Sequence, residues 1–139
     1  MQGENDNYFE IYKQLPSLNE IIKAARTHWT AAARQKKDTE SYIRGCIQEA
    51  QNKGHLTAVA VPVIVCVTFY ERTKRRDCDN VQAGVKFILD AMKDSGIIQD
   101  DSRKYVVQVL SLVRNADADG ARVEIYDAAF YHARLEYIG

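Results

Sequence analysis

Apolar residues recur at helical spacing in the first third of the chain. Leu18, Ile21, Ile22, Ala25, Trp29, Ala32 and Ala33 form one stripe, and Ser17 with Glu20 just ahead of it fits a capping box. This predicts a helix over about 18–35. A second stripe of Ile43, Cys46, Ile47 and Ala50, with Gly54 as a C-terminal stop, marks 38–52 as a second helix or a continuation of the first. The Val- and Ile-rich stretch 58–70 is apolar at successive positions and reads as a strand covered on both faces, with Pro62 near its start or at a bulge. Val81, Val85, Ile88, Leu89 and Met92 repeat as one face of a helix that stops at Ser95-Gly96. Two further strands, 105–113 and 121–130, flank the polar connection Asn115 to Gly120 and suggest an antiparallel hairpin. The residues before Ser17 carry no periodic signal, and there is no internal repeat, low-complexity tract or linker. The length fits one domain of typical size.

Composition narrows the class. The chain has 139 residues, and 46% hydrophobic residues can bury a core. The longest mainly apolar run, Ala58 to Val67, contains Pro62 and falls short of the roughly 20 residues of a bilayer span, so no membrane partner is expected. The polar, acidic start and the three scattered cysteines fit a reducing cytoplasmic setting. The 19 Lys and Arg balance 19 Asp and Glu, so any nucleic-acid surface must be local.

Such a local feature exists. Arg72, Lys74, Arg75 and Arg76 place four cations in five residues, followed at once by Asp77 and Asp79. At the end of a strand, a two-residue period would put both carboxylates on one face. Asn80 opens the following helix, Lys86 lies on its polar side with Gln82, Asp90 and Lys93, and Asp100 and Asp101 follow Gly96. Carboxylates without His or Cys suit Mg²⁺, with Mn²⁺ as a substitute; such a metal activates water, and a lysine nearby adds a cationic donor. The residue types therefore permit a metal-dependent nuclease. Helix capping by Asp79 or Asn80 is the plainer explanation for one of them, and it leaves Asp77, Asp100 and Asp101 unexplained. Lys86 on a polar helix face is by default a solvated lysine, and the basic run by default a solvated strand end. Asn19, Lys23 and Arg26 offer further contacts to DNA, although an exposed helix face explains the two cations equally well.

The string RRDCDN from Arg75 to Asn80, then Lys86, Asp90-Ala91-Met92, Gly96 and Asp100-Asp101, closely resembles the RusA family of Holliday-junction resolvases. LPSLNE from Leu15 to Glu20 resembles that family's N-terminal element. The resemblance implies a single compact α+β domain over 1–139, a small mixed β-sheet packed with helices, acting as a homodimer that cuts four-way DNA junctions symmetrically with Mg²⁺, one strand per subunit, and without an organic cofactor. It implies Asp77, Asp79 and Asp101 as metal-binding catalytic carboxylates, Asp100 as a neighbouring ligand, and Lys86 as the catalytic lysine. Arg72, Lys74, Arg75, Arg76 and Asn80 would meet the DNA. The chain departs from the pattern in a longer stretch between Asn80 and Lys86, in Cys78, and in its neutral charge. A bacterial, prophage or phage setting is what the resemblance suggests.

Other readings are weaker. Asn115, Asp117, Asp119 and Gly120 imitate the start of a calcium loop, but Tyr126 stands where the final Glu belongs. His28, His55 and His132, and Cys46, Cys66 and Cys78, have no metal-binding spacing and read as structural. The tyrosines and Trp29 fit core packing better than base stacking. A noncatalytic DNA-binding module and a phosphohydrolase of small phosphate esters are the rival functions.

Overall fold

The computed structural model describes residues 7–129. Strand β1 (Tyr8–Ile11) leads into helices α1 (Leu18–Thr27) and α2 (Trp29–Asn52). Strand β2 (Val63–Glu71) follows, then helices α3 (Cys78–Gln82) and α4 (Val85–Asp94), and finally strands β3 (Val106–Asn115) and β4 (Gly120–Asp127). The sheet order is β1-β4-β2-β3, with β2 parallel to β3 and antiparallel to β4. A parallel β2/β3 pair needs a crossover connection, and α3 with α4 supplies it. This is a single α+β domain with a mixed sheet, as the family resemblance implied.

The core lies between the sheet and helices α2 and α4. Phe9, Val65, Val67 and Val123 meet Ile43, Ile47, Ile88 and Met92 there, all of them buried. At about 1.5–3 kcal/mol for each large apolar side chain withdrawn from water, this layer is the main source of stability. Ser17 caps α1 as expected: its Oγ accepts from the Glu20 N–H at 3.2 Å, and the Glu20 carboxylate accepts from the Ser17 N–H at 3.0 Å.

Four expectations need correction. The helix expected over 18–35 breaks at His28, whose extended backbone ends α1 and whose Nδ1 accepts from the Thr30 N–H at 3.1 Å to start α2. Trp29, at the first position of α2, is 74% exposed rather than part of the core. The helix expected from 81 is two helices, α3 and α4, meeting near Gly84, where a Cβ would crowd the Leu15 side chain at 3.1 Å. The two C-terminal strands do not form a hairpin, because β2 lies between them and pairs with both. Their connection passes over the end of β2, where the Ala116 N–H donates to the Glu71 carbonyl at 3.0 Å. Strand β1, which carried no periodic signal, pairs with β4, with Phe9 opposite Val123. Phe130 and His132 lie outside the described residues.

Candidate active site

The end of β2 organises the site through one buried acid. Glu71 is 3% exposed, and a charge in that position must be paired. Arg76 turns back to meet it with a two-pronged contact, Nε to Oε1 and Nη2 to Oε2, both at 2.9 Å. Gln14 adds a bond to Oε1 at 3.2 Å. The third arm of Arg76 donates from Nη1 to the Leu15 carbonyl at 3.0 Å. Four residues later, Asn80 Oδ1 accepts from the Asn19 N–H at 3.1 Å. Arg76 and Asn80 thus pin the Leu15 to Glu20 element onto the turn that follows β2. The two separate stretches that carry the family resemblance are held together by these bonds.

This clasp changes the geometry inferred for the aspartates. Strand β2 ends at Glu71, so Asp77 and Asp79 do not share a strand face. Asp77 is the N-cap residue of α3 and Asp79 lies in its first turn. The Asp77 side chain makes no capping bond, and both residues are exposed. Asp79 Oδ1 accepts only from the adjacent Asn80 N–H at 3.0 Å among the bonds its side chain forms. The capping explanation therefore does not occupy the Asp77 carboxylate.

Lys86 stands on α4 between two acids. Its Nζ lies 3.2 Å from Asp90 Oδ1 and 3.7 Å from Asp101 Oδ2. The hydrogen bond from Lys86 to Asp90, with added attraction from Asp101, holds its ammonium proton more tightly than usual. At neutral pH it is a fixed positive charge, suited to stabilising anionic oxygen. Asp100 pairs with Lys93 at 3.3 Å, and the Asp101 backbone N–H and that ammonium lower the Asp100 pKa.

Of the basic candidates, Arg72, Lys74 and Arg75 are exposed, and the structure leaves their side chains facing solvent. The Arg72 backbone is fixed by its N–H to Asp119 Oδ1 at 2.8 Å. Arg76 differs: at 17% side-chain exposure its guanidinium is already committed to Glu71 and Leu15.

The donor chemistry of Asp77, Asp79, Asp100 and Asp101 suits a hard divalent cation. Among the described residues, however, no three His, Cys, Asp or Glu side chains gather closely enough to hold an ion. Asp90 was expected beside Lys86, whereas Lys36 and Glu40 were not expected to join this region. Lys36 lies 2.7 Å from Glu40 and 3.6 Å from Asp90, and the four-residue spacing of Lys36 and Glu40 was the available clue. An adjoining cavity of about 260 Å³ is lined by Ile21, Ala25, Ala32 and Phe87, with Lys86 and Asp90 at its edge.

No described helix is long and apolar enough to cross a membrane. No curated protein matches the chain. The family model for endodeoxyribonuclease RusA matches residues 12–126, a span that begins beside β1, takes in the Leu15 to Glu20 element, the turn after β2 and the Lys86 and Asp101 pair, and ends within β4. With that span covering most of its length, the chain belongs to the RusA family of endodeoxyribonucleases.

Proposed function

We propose that the protein is a Mg²⁺-dependent endonuclease that resolves four-way DNA junctions as a homodimer, by paired symmetric incisions. The observation that carries this reading is Lys86 Nζ seated 3.7 Å from Asp101, a cation and a carboxylate brought together from α4 and the loop before β3. Asp77, Asp79 and Asp101, with Asp100 beside them, are the residues that would hold the metal. When bound, the metal supplies an activated water and neutralises charge at the phosphodiester.

The chain's own residues do the rest. Arg72, Lys74 and Arg75 hold the flanking backbone through phosphate contacts, which position the DNA without reading its sequence. Lys86 places a fixed positive charge where negative charge develops on the phosphate oxygens. Asp101 lies near Lys86 through one carboxylate oxygen, at 3.7 Å. Arg76 and Asn80 act by holding the turn that presents Asp77 and Asp79.

A second reading, a DNA-binding module without cleavage, is favoured by the absence of any gathered set of three ligands among the described residues. Wild-type and Asp77→Asn proteins should be compared on a labelled four-way junction and a matched duplex, by mobility shift and by denaturing gel. The nuclease reading expects Asp77→Asn to bind the junction with near wild-type affinity while losing cleavage by about a hundredfold or more. Binding by both proteins with incision by neither, across Mg²⁺ and Mn²⁺, would select the second reading.

A further inference from the structure

Five side chains of alternating charge run from α2 across α4 into the loop before β3. Glu40, buried on α2, accepts a hydrogen bond from Lys36 Nζ at 2.7 Å. The same ammonium lies 3.6 Å from Asp90 Oδ2, and the other oxygen of Asp90 accepts from Lys86 Nζ at 3.2 Å. Lys86 in turn reaches Asp101. Lys36 with Glu40, and Lys86 with Asp90, are each four residues apart on their own helix, the spacing at which side chains meet. The Lys36 to Asp90 contact joins the two helices.

The members differ sharply in exposure. The Lys86 side chain is 71% exposed, whereas that of Asp90 is 15% exposed. A long, exposed lysine has no fixed position of its own, because its stem turns about four bonds in water. Asp90 is fixed: it lies at the edge of the apolar cavity lined by Ile21, Ala25 and Phe87, and Lys36 holds its second oxygen. Withdrawal from solvent on that side makes its pairing with Lys86 less screened than an ordinary surface pair.

We propose that Asp90 is a positioning residue for Lys86, anchored in turn by Lys36 and Glu40, and that this chain aims the Lys86 ammonium at the site around Asp101. The proposal rests on the nuclease reading, in which Lys86 acts on the substrate. Asp90 acts only through Lys86 and touches neither DNA nor metal. Glu40 is the buried end that keeps Lys36 turned toward α4.

The test is a double-mutant cycle in steady-state turnover with a four-way junction and Mg²⁺. Asp90→Asn should lower kcat about tenfold or more while leaving KM and junction affinity within about twofold, since orientation rather than binding is lost. In a Lys86→Met background the same change should cost nothing further, because its target is gone. Lys36→Met, made together with Glu40→Gln so that no buried charge is left unpaired, should lower kcat about threefold, and this effect too should vanish without Lys86. Unchanged kcat in both Asp90→Asn and the Lys36→Met, Glu40→Gln protein, or an equal loss with and without Lys86, would overturn the proposal. If Asp90→Asn fails to fold, the Lys36→Met, Glu40→Gln arm decides alone. Wild-type protein that binds junctions and cuts none would instead overturn the nuclease reading, and this proposal with it.

Discussion

Arg76 and its neighbours in the basic run have the same charge and different work. Arg76 neutralises a buried glutamate, so Arg76→Met should leave Glu71 unpaired and destabilise the protein by about 3 kcal/mol or more in a urea titration. Lys would not repair the loss, because an ammonium cannot reproduce the two parallel bonds. Lys74→Ala and Arg75→Ala should leave stability within about 0.5 kcal/mol and weaken junction binding in a salt-dependent way, each lowering the salt slope by about one. Equal destabilisation by all three changes would contradict this division. The sequence showed the five-residue run but not which cation faces inward, because the apolar run that predicts the strand ends at Tyr70; the sign was the two-residue period that puts Glu71 in line with buried Val65, Val67 and Phe69. The cysteines separate in a similar way. Burial pushes the Cys66 thiol up to about 11, with Glu124 adding to the effect, and burial raises Cys46 as well. Exposed Cys78, between the two aspartates, should therefore react first with a thiol reagent near neutral pH. Faster labelling of Cys46 or Cys66 would count against the packing described.

Whole elements show where pattern reading succeeds and where it stops. The stripes that define α2 and α4, and the apolar run of β2, were legible because each faces one core and tertiary contacts reinforce the local period. The α1/α2 break was not, because the apolar stripe continues through it while the extended backbone of His28 ends α1 and its side chain caps α2. Strand pairing was also beyond the local pattern: only four residues separate β3 from β4, which favours a hairpin, yet β2 takes the place between them. Two glycines mark where the backbone leaves no alternative. Gly96 has φ +76° in the turn that leads to Asp100 and Asp101. Gly120, at the start of β4, lies so close to the Ile11 carbonyl that a Cβ would collide with backbone. Gly120→Ala should therefore cost more stability than Ser17→Ala, whose lost cap is worth about 1 kcal/mol, in paired denaturant titrations. A smaller loss for Gly120→Ala would mean that β1 docks less tightly on β4 than described.

At the scale of the molecule, a chain with balanced charge seats Lys86 between Asp90 and Asp101 and leaves Arg72, Lys74 and Arg75 exposed after β2. The candidate carboxylates, Lys86 and the basic run were all named from the sequence; the strand face expected to align Asp77 with Asp79 does not exist, since these two residues open a helix. What the sequence could not give was the cross-helix chain from Glu40 to Asp101, which exists only once α2 and α4 pack. That chain sets a pH expectation. Lys36 and Lys86 both hold their protons above the ordinary lysine range, Lys36 chiefly through its hydrogen bond to Glu40 and Lys86 through its bond to Asp90. A raised pKa in the folded state contributes stability that is fully present below the unfolded lysine value and is lost as pH rises through the folded one. Stability from these pairs should thus be flat from about pH 6 to about pH 9 and fall only at strongly alkaline pH. The most informative single measurement maps the products of wild-type protein on a four-way junction labelled on each strand in turn, with Mg²⁺ and with chelator. A Mg²⁺-dependent resolvase makes symmetric cuts in two opposed strands with Mg²⁺ and none with chelator; a junction that is bound yet left intact under both conditions would contradict that function.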